Sequence, residues 1–236
     1  DQIFQYFNTI NQRVEKFIES QMLSEDAKKM IIMGFHHECQ HQELLVYDLQ
    51  HLLAEQYRPV KKKELPNPVN VEKKSKHIKG GIYTMGNNGN KFCYDIELPE
   101  HKVYLNDYKI DEFPITNQQY MEFIEDGGYD TYKYWLSDGW EKVKANKWNS
   151  PMYWEKIDGK WHVRDFSGIR EINPSEPVCH VSYYEAEAYC KWAGKRLPTE
   201  AEWEKAACWN EESQEKTIFP WGNESPDSDK CNLLES

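Results

Sequence analysis

All nine tryptophans lie between Trp135 and Trp221, and nothing before Trp135 carries one. A single core drawing on the whole chain would not confine its largest apolar side chain in this way, so the chain divides into regions built differently. Residues 59–80, PVKKKELPNPVNVEKKSKHIKG, mark the division with three prolines, seven lysines and few apolar residues. That is the composition of an exposed linker or surface strap. The expected organisation is a helical region at 1–58, a linker at 59–77 and a mixed helix-and-strand region at 78–236. Lys61, Lys62 and Lys63 read as solvated linker rather than as a nucleic-acid patch.

In the first region Ile3, Phe7, Ile10, Val14, Phe17 and Ile18 recur at helical spacing. A second helix is expected from about Glu25 to Glu55, with Ser24 as its N-cap and Glu25 and Asp26 in its first turn. Gly34 is a tolerable weak point inside it. Two amphipathic helices cannot bury a complete core, so this region reads as half of a four-helix bundle.

The second region alternates differently. GGIYTMGN, HKVYLNDYKI and PVCHVSYY have the β-branched and aromatic content of strands. Helices are expected after Thr116 up to Gly127-Gly128, over Tyr183–Trp192 before Gly194, and from Thr199, where Glu202 completes a capping-box pattern. Between Gly128 and Asn173 regular signals are few, and an irregular segment of that length is uncommon unless it carries function.

Composition excludes several functions. Lys and Arg number 29 against 40 Asp and Glu, giving a formal charge of −11. That leaves no basic stripe for a phosphate backbone, so no nucleic-acid partner is expected. Mean hydropathy is −0.89, and no apolar run approaches the roughly 20 residues of a membrane span. DQIFQYFNTI does not read as a secretory signal. The six cysteines form no CxxC pair and read as mostly reduced thiols in a cytoplasmic protein, Cys190 and Cys208 as buried ones.

The segment richest in chemistry is His36-His37-Glu38-Cys39-Gln40-His41-Gln42-Glu43. On a helix His41 falls about 40° from His37, one turn on, with Leu44 near −20° and Gln40 near −60°. His37 and His41 therefore share a stripe in the i, i+4 arrangement by which two imidazoles grip one metal. Spacing alone leaves metal binding evenly balanced against a polar bundle seam. Glu43 lies roughly 240° round, where it suits holding a histidine's outer nitrogen or pairing with another helix. His51 is about 15 Å along the axis from His41 and cannot share an ion held by bonds of about 2 Å. HECQH also spells a zinc-protease motif, but Glu38 sits about 100° from His37 and the protease fold context is missing.

HHECQHQELL resembles the HxxxHxE motif of a DinB-like helical bundle. GGIYTMG, PEHKVYLNDYKIDEFPITNQQYMEFIEDGGY, PVCHVSYYEAEAYCKWAGKRLPTEAEWEKAA and FPWGNE are similar to the formylglycine-generating-enzyme (sulfatase-modifying-factor) domain, a C-type-lectin-like fold. The combination, with YWLSDGW and SPMYW, resembles the ergothioneine-pathway sulfoxide synthases. The resemblance implies an α+β architecture, a partial DinB-like bundle followed by a lectin-like domain. It implies a non-haem Fe(II) cofactor with O2 as co-substrate, and coupling of cysteine or γ-glutamylcysteine to hercynine or histidine. It assigns iron binding to His37 and His41, contact with the betaine imidazole to Gln40, and the acidic motif position to Glu43. The family's first histidine and its catalytic tyrosine have no counterpart here, so the chain reads as an internal fragment and no catalytic residue is assigned.

Within that class an ovothiol-type or selenium-inserting relative is the alternative; outside it, a non-catalytic lectin-like module on a helical stalk. Trp135, Trp140, Trp148 and Trp154 are candidates to line a trimethylammonium pocket, with core packing the favoured role. His180 reads as structural. Arg196 reads as an ion-pair anchor to Glu200 or Glu204.

Overall fold

The computed structural model describes residues 1–20, 23–53, 67–90, 92–165 and 168–231. The chain forms two compact units, one of residues 1–53 and 87–99, the other of residues 54–86 and 100–236. Among the described residues no helix is long and apolar enough to cross a membrane.

The first unit contains α1 (Gln2–Glu19) and α2 (Glu25–Leu53). Asp1 caps α1, its carboxylate accepting from the Ile3 N–H at 3.2 Å. At α2 the Ser24 hydroxyl accepts from the Ala27 N–H at 3.2 Å, and Glu25 and Asp26 complement the positive end of the helix. Neither helix buries a single residue. Ile3, Phe7 and Val14 on α1, and Phe35, Leu45 and Leu52 on α2, are all exposed. These apolar stripes lie where the sequence period puts them.

The second unit is α+β. Strands β1 (Ser75–Ile78) and β4 (Tyr108–Asp111) pair antiparallel, as do β2 (Gly81–Met85) and β3 (His101–Leu105). Strands β5 (Trp154–Ile157), β6 (Lys160–Asp165) and β7 (Gly168–Glu171) make an antiparallel meander, and β8 (Trp209–Asn210) pairs with β9 (Glu215–Lys216). The helices are α3 (Asn117–Glu125), α4 (Ser137–Asn146), α5 (Tyr183–Trp192) and α6 (Glu200–Cys208). Of the stretch expected to link the regions, residues 59–66, with Lys61 to Lys63, lie outside the described residues, and residues 75–77 belong to β1.

Three apolar clusters hold this unit. Tyr120 and Phe123 of α3 meet Tyr129, Trp135, Val143 of α4, and Ala188, Tyr189 and Cys190 of α5. Tyr83, Leu105 and Tyr108 of the strands meet Ala201 of α6. Trp154, Val163 and Ile172 pack with Met121 and Ile124 of α3.

The starts of α3, α5 and α6 are capping boxes, Thr116 with Gln119, Ser182 with Glu185 and Thr199 with Glu202. Glu185 is buried and also accepts from the Tyr129 hydroxyl at 2.5 Å, while Tyr129 meets the Tyr120 hydroxyl at 3.2 Å. Burial, with the neighbouring Tyr120 and Glu185, holds the Tyr129 phenol far above its ordinary range. Glu202 is buried too and takes both Arg196 Nη atoms, at 2.7 and 2.6 Å. The Arg196 guanidinium brings its carboxyl down to about 2 against the burial that opposes it.

Several expectations need correction. Arg196 pairs with Glu202, not Glu200 or Glu204; Glu204 instead accepts from the Tyr83 hydroxyl at 2.8 Å, from the Gly86 N–H at 3.1 Å, and from Lys216. PVCHVSYY is not a strand: Pro177 makes one bridge to Thr116, His180 turns left-handed at φ 63°, and Ser182 begins α5. The stretch between Gly128 and Asn173 holds α4 and the β5–β7 meander. The β5–β6 hairpin turns on Asp158-Gly159, both at positive φ, the two-residue turn whose twist matches its strands.

Two stability predictions follow from this packing. A Cβ at Gly128 would sit 2.2 Å from the fully buried Phe123 ring, so Gly128→Ala is expected to destabilise the unit by about 1–3 kcal/mol in urea unfolding. Glu202→Gln is expected to cost about 1–2 kcal/mol at pH 7, discounted because Arg196 is largely exposed. Because the Glu202 pKa is lowered from 4.5 to about 2, its contribution is complete above about pH 4.5 and fades as pH falls towards about 2. The gap between wild type and Glu202→Gln narrows over that window; a pH-independent gap contradicts the assignment.

Candidate metal-binding site

Helix α2 is unbroken from Glu25 to Leu53. Gly34 passes without interruption, and a Cβ there would meet nothing within 4 Å. The helical angles drawn from the sequence therefore hold across the histidine segment. His37 and His41 stand one turn apart with ring centroids 4.4 Å apart and planes at 82°. Both are exposed, as are Gln40 and Glu43. Gln40 lies on the flank of the His37–His41 stripe and Glu43 well round the helix from it.

Two adjacent imidazoles are donors of the type that suits iron, zinc, copper or nickel. Among the described residues no group of three or more His, Cys, Asp or Glu is gathered to hold a metal ion. The pair fits a divalent transition metal in donor type and spacing.

His36 is placed differently, about 100° round the helix from His37. Its ring stacks on Phe92 at 3.8 Å between centroids and 11° between planes, and meets the edge of Tyr94 at 6.4 Å. Phe92 and Tyr94 themselves meet at 5.2 Å and 76°. Sequence reasoning missed this contact, because nothing local to either segment signals a pairing across more than 50 residues.

In the second unit the four candidate tryptophans do not converge on a pocket. Trp135 belongs to the first cluster with Trp140 and Trp148 packed against it, and Trp154 belongs to the third. Lys144 lies over the Trp140 ring at 5.0 Å, so that face is already covered by a cation. The His180 carbonyl accepts from the Met152 N–H at 3.1 Å, and its ring meets Tyr153 edge-on at 4.9 Å, a structural use of the residue. All six cysteines are free thiols, Cys190 buried in the core and Cys208 partly so. An open groove of about 750 Å³ runs beside β1, the end of α6 and residues 217–222, with Lys76, Lys205, Trp209 and Trp221 in its walls. It contains none of the α2 residues.

The small antiparallel sheets and box-capped helices of the second unit define an α+β domain of the C-type-lectin-like kind, and α2 stands before it in the sequence as a candidate metal helix. The chain belongs to the sulfatase-modifying factor enzyme 1-like domain family, whose sequence model matches residues 61–236. It is 38% identical over 202 residues to a hercynine oxygenase of Mycolicibacterium smegmatis, covering 84% of this chain and 46% of that protein. It is 41% identical over 139 residues to a hercynine oxygenase of Mycobacterium tuberculosis, covering 59% and 32%. A formylglycine-generating enzyme of Thermomonospora curvata is 34% identical over 184 residues, covering 72% and 59%. The chain spans less than half the length of either hercynine oxygenase. A match covering 84% of this chain must begin by about residue 40, so it includes at least the later part of the α2 sequence.

Proposed function

We propose that this chain is part of a hercynine-acting oxygenase: a non-haem Fe(II), O2-dependent sulfoxide synthase that joins a cysteine-type thiol to the hercynine imidazole. The observation that carries the reading is the His37–His41 pair on an unbroken helix, within a sequence whose similarity to a hercynine oxygenase extends onto that helix. The chemistry balances on O2 alone. One thiol S–H and one imidazole C–H are lost, a C–S bond forms, one oxygen atom goes to sulfur and the other leaves as water. No further reductant is required.

In this reading the parts are residues 1–58, a partial DinB-like bundle, a linker at 59–77, and a formylglycine-generating-enzyme-like domain at 78–236, in a cytoplasmic protein. His37 and His41 would hold the iron, each through a ring nitrogen. Bound iron would activate O2 and bring thiol and imidazole to one centre, supplying proximity for the coupling. Gln40 presents its amide beside the metal stripe, where it can hydrogen-bond the substrate imidazole and fix its orientation. Glu43 acts at a distance from the metal, holding an imidazole N–H or a neighbouring helix. Helix α2 keeps these groups in register, because its hydrogen-bonded turns fix the i, i+4 spacing without help from a loop.

The intact protein is expected to bind about one Fe(II) per chain, and His41→Ala to weaken binding by more than about 100-fold, beyond the 10–100-fold typical of residues that only support a ligand. Anaerobic metal titration reads this directly. An unchanged iron content in His41→Ala sinks the assignment.

A further inference from the structure

We infer that the segment between β2 and β3 is a positioning clamp for the metal turn of α2, acting through the His36–Phe92 ring stack. The inference rests on the metal reading of His37 and His41 given above. An imidazole nitrogen stands several Å from the helix axis, so a roll of about 10° moves it by roughly 1 Å. Displacements of that size are enough to spoil a site. Neither α1 nor α2 has a buried residue that would fix such a roll. The ring stack is a contact that can.

The clamp grips the correct side. His36 sits about 100° from His37, so Phe92 holds the flank of α2 and leaves the His37–His41 stripe open. Phe92 and Tyr94 are two residues apart and their rings meet at 5.2 Å. One presents its face to the His36 ring and the other its edge. The segment has internal bracing. The Asn87 N–H donates to the Glu97 carbonyl at 2.7 Å, closing its base. The Glu97 carboxylate accepts from the Tyr94 N–H at 2.8 Å, and the Leu98 N–H donates to the Asp95 carbonyl at 3.0 Å. Side chains of Asn87 and Asn88 accept from the Gly89 and Asn90 N–H groups at 2.9 and 3.0 Å. The aromatic pair is thus delivered by a preformed turn. This also gives the two adjacent histidines separate tasks: His37 faces the stripe, and His36 is engaged by the stack.

The test uses the intact protein, selectively labelled at histidine, with Co(II) as the metal probe. In the wild type the His36 ring protons are expected upfield of the other histidines, shielded by the Phe92 face. Phe92→Leu, which keeps apolar bulk and removes the ring, should abolish that shift and weaken Co(II) binding about tenfold, within the range for residues that orient a ligand. Phe92→Tyr should restore both. His36→Gln, a surface substitution that leaves the helix intact, should weaken Co(II) binding to the same degree, and the double variant should be no worse than either single one. Affinity lost in His41→Ala but retained in Phe92→Leu and His36→Gln overturns the clamp alone. Affinity retained in His41→Ala overturns the metal reading beneath it, while the His36 ring shift still reports whether the stack exists.

Discussion

Two buried glutamates hold the second unit together. Glu185 and Glu202 each sit at the third position of a helix and each accept a hydrogen bond from the N-cap N–H, Ser182 at 2.7 Å and Thr199 at 2.8 Å. A capping box at the surface of a protein contributes only to its own helix. Here both carboxylates are buried and each has a second partner, Tyr129 for Glu185 and Arg196 for Glu202. A buried carboxylate without such partners would be strongly unfavourable. Glu185 thereby ties the start of α5 to Tyr129, far back in the chain, and Glu202 ties the start of α6 to Arg196 in the stretch that leads into it, so the directions of both helices are constrained. Those directions place Tyr189 and Ala188 in one cluster and Ala201 in another.

The first unit is ruled by a different constraint. Its helices have no fully buried residue, and hydrogen bonding along the chain fixes the spacing of the residues on each. What such a helix supplies is spacing. The 4.4 Å between the His37 and His41 rings is a consequence of helical periodicity, and it needs no packing to maintain it. The roll of the helix is another matter, because periodicity fixes angles between residues and leaves the absolute orientation free. A side contact such as the His36–Phe92 stack is the kind of interaction that addresses this second variable.

How much of this was legible in the sequence tracks where the determining contacts lie. Helices α2, α3, α5 and α6 begin at Ser24, Thr116, Ser182 and Thr199, side chains that cap locally, and each could be read or closely bracketed. Helix α4 begins after Leu136, which has no capping side chain, and ends at Lys147 in the left-handed region without a glycine. Neither end announces itself. The β5–β6 hairpin did announce itself through Asp158-Gly159, but the surrounding aromatic content obscured it. PVCHVSYY shows the reverse error: its apolar alternation is real, yet Pro177 lacks an N–H and His180 leaves the extended region, so no ladder can form. The pairing of His36 with Phe92 follows from tertiary placement, which local pattern does not contain; Arg196 and Glu202 are near in sequence, and what spacing left open there was which glutamate of α6 the guanidinium meets.

The family assignment and the proposed chemistry rest on separate stretches of chain, and this separates what each can establish. Residues 61–236 match the family model, and over that span the chain is similar both to hercynine oxygenases and to a formylglycine-generating enzyme. A domain shared by proteins so named cannot by itself select a reaction. None of His37, Gln40, His41 and Glu43 lies within the span. The chemistry must therefore be argued from α2, which carries an imidazole pair one turn apart and whose later part is included in the match to the M. smegmatis hercynine oxygenase. If α2 were replaced by an unrelated helix, the fold of the second unit and its family would stand unchanged, and the argument for metal-dependent coupling would vanish.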